Sequence, residues 1–496
     1  MDDFDVVVAG AGPVGLMLAG ELRTAGATVV VLERLAEPDP MTKAGSIGPL
    51  AVEALVRRGL GERVLAAERE TLERYLRMAE ETGADPAHAV PKEHFAGLEK
   101  LDLPGGPGPR RRVRVEQPAL VDVLLRHTAD LGVELRRGHE VVDLDQDGDG
   151  VVVTARTPAG RARVRGRYLV GCDGANSAVR ELAGFGFPGT GATVTGRQGV
   201  VELAGDDRLP HGFHHTPRGL VVYGLGVNRV ASVEFDGPPD PGAGPFTAAE
   251  LEEALRRVSG LDVRVAGMSA GGRFADRACQ VTGYRRGRVL VAGDAAHVHA
   301  PFGGQGLNVG LTDAVNLGWK LAATARGWAP PGLLDTYSAE RHPVGAALLE
   351  NTRAQTALMR PDPQSAALRG LFDRLLDLEQ VRRHVVDLLA GFDVRHDLGE
   401  DHPLVGTLPA SGGEVFPEGG GAVLDLVGDA EVLKTAAPWS PRVHAVAAAT
   451  GPDGVDAVAL RPDGVVAWVL PTGERFAPES LEQALTRWFG PPPVTR

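Results

Sequence analysis

The sequence predicts an α/β fold: an open, mostly parallel sheet with helices on both faces, a β-rich insertion, and a small α/β unit at the C-terminal end. Three observations carry this. A strand, glycine turn, helix and second strand open the chain between Asp5 and Glu33. Two later strands, Tyr168–Val170 and Val289–Ala292, run straight into turns rich in Asp and Gly. The composition then shifts near residue 395.

Asp5–Ala9 reads as a buried strand, Gly10–Gly15 as a turn, Val14–Ala25 as a helix ended by Gly26, and Thr28–Glu33 as a strand parallel to the first. Helical spacing continues over Pro49–Arg58 and Pro118–Leu131, where Pro118 occupies a tolerated first-turn position. Val141–Asp145, Val151–Thr157 and Arg161–Arg167 alternate as an antiparallel meander with Asp-Gly and Pro-Ala-Gly turns. Residues 192–274 are β-rich with one helix near Ala248–Val258. Long helices follow over Gly306–Thr324, Tyr337–Met359 and Gln364–Leu389. Val423–Leu426, Ala457–Leu460 and Val465–Val469 are strands of the last unit, closed by a helix at Leu481–Phe489.

Composition removes several classes of function. Of 496 residues, 43% are hydrophobic and 24% charged, as in a globular protein with a sizeable core. The net charge of −13 offers no basic field for a nucleic acid. The dense run Arg110-Arg111-Arg112-Val113-Arg114 reads as a solvated loop entering a strand, with a phosphate contact as its functional alternative. Two cysteines, Cys172 and Cys279, allow no zinc spacing and one bridge at most, so a reduced, cytoplasmic setting is expected. The uncharged stretch Val6–Gly20 follows three acidic residues and is too short to span a bilayer, so no membrane partner is expected.

The chemistry sits in three fingerprints. In Gly10-x-Gly12-x-x-Gly15, with Pro13 and Val14 starting the helix, the glycines let backbone approach a pyrophosphate at the helix N-terminus. Glu33, followed by Arg34, stands where a carboxylate accepts from a ribose hydroxyl. The second is Cys172-Asp173-Gly174-Ala175-Asn176-Ser177. The third is Gly293-Asp294-Ala295-Ala296-His297, leading through Pro301-Phe302-Gly303-Gly304-Gln305-Gly306-Leu307-Asn308 into a helix. Each delivers an Asp and small residues to one crevice at the carboxyl edge of the sheet. Taken singly, either Asp could equally be a helix cap or turn residue.

In this order and spacing the three fingerprints resemble the group A FAD-dependent aromatic hydroxylases, over about residues 4–350. The stretches Asp313–Leu321 and Tyr337–Pro343 strengthen the likeness, and Lys43–Ile47 with His94–Leu98 place it nearest the hydroxylases that tailor aromatic polyketides. The resemblance implies a p-hydroxybenzoate hydroxylase-like fold: a Rossmann-like FAD-binding domain (1–75, 101–185 and 275–394), an inserted β-sheet substrate domain (76–100 and 186–274) and a thioredoxin-like C-terminal domain (395–496). That last domain contains no cysteine, which excludes thiol redox chemistry there.

It also implies roles. Asp294 would hydrogen-bond the ribityl chain, Asp173 and Gly174 would lie near the pyrophosphate and the route of NAD(P)H, and Gln117 would touch the ribityl region. Pro301 would wall the flavin front, with Phe302, Gly303 and Gly304 beside it. The bottom-up reading agrees for Gly303 to Asn308, with Gly304, Gly306, Leu307 and Asn308 as cofactor contacts: free N–H groups at a helix start suit flavin N1 and O2, where negative charge develops on reduction. Relatives often carry an arginine at 43 or 44. Lys43 and Ala44 stand here, so no arginine role is carried over. His214, His215 and Tyr223 are candidates at the substrate, each weighed against a surface or core role. His297-x-His299 lacks a third ligand, so no metal is expected.

The implied activity is a monooxygenase that takes electrons from NADPH or NADH and transfers one oxygen of O₂, through a flavin C4a-hydroperoxide, to a polycyclic phenol. Baeyer–Villiger oxidation, epoxidation or dehydration on the same scaffold is the alternative. A flavin-binding carrier is the non-enzymatic one. A homodimer is compatible with all of these. Residues 186–274 show Phe213, Tyr223 and Phe235 but few basic residues at their apparent centre, which suits apolar walls better than an arginine clamp for a benzoate.

Overall fold

The computed structural model describes residues 2–41, 43–82, 93–101, 110–204, 209–224, 226, 228–409 and 419–493. Residues 83–92 of the expected insertion lie outside these.

The chain opens with β1 (Asp3–Ala9), α1 (Pro13–Thr24) and β2 (Val29–Glu33), then α2 (Pro49–Arg57) and a 22-residue helix α3 (Gly61–Thr82). A short hairpin, β3 (Glu93–Phe95) and β4 (Leu98–Leu101), precedes α4 (Gln117–Asp130) and β5 (Glu134–Arg137). The meander is β6 (Glu140–Gln146), β7 (Val151–Thr157) and β8 (Gly160–Gly171), followed by the short α5 (Ala178–Leu182). The expected strands Arg161–Arg167 and Tyr168–Val170 are one strand. The first half of β8 pairs antiparallel with β7 and the second half pairs parallel with β1.

Next come β9 (Gly189–Thr190), β10 (Thr195–Ala204), β11 (Gly212–Thr216), β12 (Gly219–Tyr223), β13 (Arg229–Glu234), α6 (Ala248–Ser259) and β14 (Arg264–Ala275). The chain returns through β15 (Ala278–Gln280), β16 (Arg285–Arg286), β17 (Val289–Val291) and β18 (His297–Val298). Four helices follow: α7 (Gly306–Ala325), α8 (Thr336–Met359), α9 (Pro363–Leu375) and α10 (Glu379–Ala390). The single helix expected at Gln364–Leu389 is therefore two.

The main sheet runs β16-β17-β8-β1-β2-β5, with β7 and β6 continuing from β8. The central parts of β1 and β2 are apolar (Val6–Val8, Val29–Leu32) because helices cover both faces. The five-stranded sheet β11-β12-β13-β10-β14 is antiparallel. One of its faces packs on α6 through Val201, Val221, Val230 and Leu251. The other joins Phe95, Ala300, Phe302 and the ends of α8 and α10.

The last unit holds β19 (Gly421–Asp425), α11 (Ala430–Ala436), β20 (Val443–Ala447), β21 (Val455–Leu460), β22 (Val466–Pro471) and α12 (Pro478–Phe489). Its order is β20-β19-β21-β22, parallel between β19 and β20 and antiparallel elsewhere, the arrangement of a thioredoxin-like unit. The loop between β21 and β22 is buried against the rest of the chain. Arg461 pairs with Glu340 on α8, Asp463 accepts from Asn316 on α7 at 3.1 Å, and the Pro462 carbonyl accepts from Arg58 beyond α2 at 3.0 Å. Arg58 also pairs with Glu21 of α1 at 2.7 Å. Among the described residues no helix is long and apolar enough to cross a membrane.

Candidate active site

The parallel strands bring the three fingerprints together. Ala9 and Val291 both register with Gly171, so the turns after β1, β8 and β17 leave the sheet side by side. A Cβ on Gly10 (φ +103°) would lie 2.5 Å from the Cys172 carbonyl oxygen, and one on Gly15 would lie 2.0 Å from the Gly10 oxygen. These two glycines permit backbone contact that any side chain would prevent. A Cβ on Gly12 would meet no protein atom within 4 Å. Gly12 caps α1 without a side-chain cap, with Pro13 in the first turn. The cradle therefore has open space above uncapped helix N–H groups, which fits a dinucleotide pyrophosphate. Val14 seats the third fingerprint on the first, since Cβ atoms on Gly293 and Gly310 would approach it at 3.0 and 2.7 Å.

The acids differ from one another. Glu33 braces the first turn: Oε2 accepts from the Ala11 N–H at 2.7 Å and Oε1 from the Leu35 N–H at 2.8 Å. Arg34 beside it is exposed. Asp173 faces inward, accepting from the Ser177 hydroxyl and, at 3.1 Å, from the Val179 N–H, and burial pushes its pKa up. It shapes the turn, whereas Gly174 (φ +82°) has no atom within 4 Å of its Cβ position. Asp294 is exposed, with no hydrogen bond or ion pair among the described residues.

Its loop is held from below by Asp313 on α7. Asp313 accepts from the Gly293 N–H (3.1 Å), from Arg341 (2.7 Å) and, at 2.8 Å, bonds His297 Nε2. Burial opposes the charge on Asp313, but Arg341 and His297 keep its carboxyl below the usual range. Sequence reasoning gave no role to this buried cluster. Its signal was the spacing Asp313, Asn316, Lys320 along one face of an otherwise apolar helix.

Pro301 leads into one tight turn, Phe302–Gly304, with Gly303 and Gly304 at φ +76° and +62°. Amides from α8 fix it: Asn351 donates to Gln305 at 2.5 Å, and Gln305 donates to the Leu388 carbonyl at 3.0 Å. A Cβ on Gly306 would sit 2.4 Å from His299 Nε2, so any side chain there would push that ring aside. Asn308 joins two loops, accepting from the Gly48 N–H at 2.6 Å and donating to the Gly304 carbonyl at 3.0 Å. Leu307 packs against the main core. The Gln117 N–H donates to the Ala44 carbonyl at 2.9 Å, tying α4 to the same loop. The first turn of α7 has no side-chain cap, so its N–H groups remain available to a ligand.

The pleat of the five-stranded sheet decides which residues face this turn, since alternate side chains point to opposite faces. Leu220, Val222, Val233, Phe235 and Phe274 share the inner face, and Phe274 meets Phe302 edge-on with ring centroids 6.3 Å apart. Phe213 registers with Val222 on that face and packs on His94 at 4.2 Å. Two expected candidates are corrected here. Tyr223 packs with the α6 side, its ring 4.7 Å from His211. His214 registers with Val221, pointing to the same side, and its Nε2 bonds the His211 carbonyl at 2.8 Å. His215 lies on the inner face at the edge strand, where burial first and then Arg369 push its pKa down to about 4.

The basic run is also corrected. Its guanidinium groups are only partly exposed, because glutamates on neighbouring helices and the β3 hairpin draw them in. Arg111 pairs with Glu68, Arg114 with Glu93 at 2.6 Å, and Arg112 with Glu93 at 3.1 Å and with the Ser46 hydroxyl at 3.0 Å. The inner face of the sheet also carries Arg229, at the start of β13, on the side of Ala231 and Val233. Among the described residues no three His, Cys, Asp or Glu side chains are grouped to hold a metal ion.

Comparison with known proteins agrees with this geometry. Residues 3–352 match the family model described as an FAD binding domain, and residues 401–492 match the C-terminal domain of aromatic-ring hydroxylases. The chain belongs to the FAD-dependent aromatic-ring hydroxylases. A 12-dehydrotetracycline 5-monooxygenase/anhydrotetracycline 6-monooxygenase of Streptomyces rimosus is 39% identical, with 99% of each chain covered. The solved anhydrotetracycline hydroxylase OxyS of Streptomyces rimosus superposes with a TM-score of 0.86 at 38% identity, covering 99% of this chain and 100% of that one. The Diels-Alderase PyrE3 of pyrroindomycin biosynthesis has the same fold at 36% identity, with a TM-score of 0.78 and 99% and 100% coverage. This hydroxylase is thus a flavoprotein monooxygenase of mixed α/β fold with FAD as its cofactor.

Proposed function

We propose that this monooxygenase hydroxylates a polycyclic aromatic polyketide, with NADPH or NADH as electron donor and O₂ as the source of the inserted atom. The observation that carries the substrate class is the apolar inner face of the sheet, Val222, Val233, Phe235 and Phe274, set against Phe302. Flat apolar walls of this kind match a multi-ring aromatic better than a single ring.

FAD, when bound, supplies the redox and oxygen-activating chemistry. Gly10, Gly12 and Gly15 would receive its pyrophosphate, Glu33 its ribose, and Asp294 its ribityl chain, with Gln117 nearby. The N–H groups of Gly306, Leu307 and Asn308 would face the charge that develops on reduction. Pro301 to Gly304 would set the front of the ring system and exclude water from it. The second fingerprint at Gly174 leaves open space on the side where a nicotinamide dinucleotide would arrive. Two free, buried cysteines support a reducing, cytoplasmic setting.

The test is product mass with a panel of tri- and tetracyclic phenols, NAD(P)H and ¹⁸O₂. One labelled oxygen per turnover, with FAD released on denaturation, is expected. Release of FMN alone defeats the flavin reading. Efficient hydroxylation of a hydroxybenzoate, with no coupled oxygenation of polycycles, defeats the substrate reading. A transformed product without label assigns the scaffold to a non-oxygenating reaction.

A further inference from the structure

The turn before α7 is held by a chain of buried side-chain amides whose far end lies in the β3–β4 hairpin. Ala96 of that hairpin donates its N–H to Gln355 Oε1 at 3.2 Å. Gln355 Nε2 donates to Asn351 Oδ1 at 3.4 Å, one turn back along α8. Asn351 Nδ2 donates to Gln305 Oε1 at 2.5 Å, and Gln305 Nε2 donates to the Leu388 carbonyl of α10 at 3.0 Å. Every link runs in the same direction, N–H to C=O, so each bond polarises the next. Ala96 and Gln355 are fully buried, and Asn351 and Gln305 nearly so. A link lost at Gln355 leaves an enclosed N–H and an enclosed C=O without partners.

Gln355 acts on two backbone segments that need holding. Ala96 has φ +53°, the left-handed conformation that a residue with a Cβ adopts only under constraint. Gly303 (φ +76°) rests on the Gln355 amide, since a Cβ there would come within 2.7 Å of Nε2. Ala96 and Phe302 also share one apolar cluster with the inner face of the five-stranded sheet. One side chain therefore fixes the hairpin and the Phe302–Gly304 turn against each other.

The chain also decides what Gln305 does. Gln305 is the N-cap of α7, yet its side chain caps nothing. Its carbonyl oxygen is taken by Asn351 and its NH2 group by Leu388. Released, that oxygen would be free to turn onto the N–H groups of its own helix. Asn351 keeps it away from them, and Gln355 keeps Asn351 in place.

We infer that Gln355 is a positioning residue for the flavin. Through Asn351 it holds the Gln305 oxygen off the first turn of α7, and it supports Gly303 directly, so the helix N–H groups stay available to the negative charge of reduced FAD. This rests on the reading above that these N–H groups face that charge. Ala96 anchors the chain, so the hairpin and the flavin-binding turn share one set of hydrogen bonds.

The test is the midpoint potential of FAD in the substrate-free holoenzyme, measured by stepwise reduction against a reference dye. Gln355→Met keeps the length of the side chain without its amide, and Asn351→Leu breaks the chain one link further on. Each should lower the potential by about 30 mV, a tenfold loss of preference for reduced over oxidised FAD in a two-electron couple. Leu348→Ala opens buried volume in the same helix away from the amides. It should lower thermal stability and leave the potential unchanged, which a merely structural role of the amides would not distinguish from their own loss. Asn351→Leu decides the case alone if Gln355→Met does not fold. An unchanged potential in either folded amide variant, or an equal fall in Leu348→Ala, overturns the assignment. Asn308→Ala, which frees the Gly304 carbonyl directly, separates the two readings. A fall there without one in the amide variants removes the role of Gln355 alone. An unchanged potential in all three removes the reading of α7 on which it rests.

Discussion

Arg461 grips Glu340 with both ends of its guanidinium, at 2.9 and 2.7 Å, across the junction between the C-terminal unit and the long helix α8. Lys320 reaches the same carboxylate at 2.9 Å and Asn316 does so at 2.7 Å. Burial works against the charge of Glu340, but Arg461 and Lys320 hold its carboxyl well below the usual range. The neighbouring residue, Arg341, reaches Asp313 and through it the loop of Asp294. Arg461→Ala leaves the buried Asp463 without its paired cation and Glu340 with Lys320 alone, and should cost about 3–5 kcal/mol of stability. Urea denaturation of the holoenzyme checks this. A loss below about 1 kcal/mol would mean that the cluster relaxes freely.

The two glycines flanking Val14 should fail differently. Gly15→Ala places a Cβ against the Gly10 carbonyl and should prevent the native turn. Gly12→Ala meets no protein atom, so the protein should fold with near-native thermal stability and still bind FAD far more weakly. Equal FAD content in Gly12→Ala and wild type would move the pyrophosphate elsewhere.

Asp294→Ala should retain the fold, because its side chain has no described protein partner, and should lose FAD affinity. The loss of a charge-assisted hydrogen bond to a ligand is about 1.5–3 kcal/mol, roughly ten- to a hundredfold or more in Kd. Fluorescence titration of apoprotein with FAD measures it.

His94 predicts acid sensitivity. Burial first, then Arg112 and Arg114, push its pKa down to about 4. Its Nδ1 lies 3.4 Å from the Gly97 N–H, which requires the neutral ring as acceptor. With a folded pKa near 4 and an ordinary unfolded value near 6.5, the unfolded chain binds the extra proton first as pH falls. Its contribution is therefore complete above about pH 6.5 and is lost towards pH 4, at up to about 1.4 kcal/mol per pH unit. His94→Asn keeps an acceptor without the titration. The stability difference between pH 7 and pH 5 should shrink in that variant.

Neither cysteine should matter to chemistry. Cys172 is buried and its thiol is pushed up, first by burial, so it is no nucleophile. Cys172→Ala/Cys279→Ala should keep turnover within about twofold, measured as NAD(P)H oxidation with substrate present.

How far the sequence reveals this molecule can be judged residue by residue. The Gly10–Glu33 unit was readable because its glycines, apolar strands and closing acid obey local rules. The sequence reading missed the α3 helix: Val64, Ala67, Thr71, Tyr75 and Ala79 fall on one buried face, but its many charges hid the pattern. Phe213 and Tyr223 look alike in a strand pattern. Only the register of β11 on β12 shows that they face opposite sides. Arg229 needed both the pleat and knowledge of which face turns inward. Arg112 looked solvated because Glu93, which draws it in, arrives from a separate hairpin.

The buried loop after β21 has a consequence for biosynthesis. Arg58 and Arg57 meet Pro462 and Asp463 across 404 and 406 positions of sequence. Helices formed early in translation therefore wait, with Arg57, Arg58 and Glu340 incompletely matched, until almost the whole chain has left the ribosome. A prematurely terminated product would expose that unsatisfied charge at the junction of α1, α2, α7 and α8. The packing of the helices behind the glycine turn is thus completed by a loop that lies 404 positions from Arg58 in the sequence.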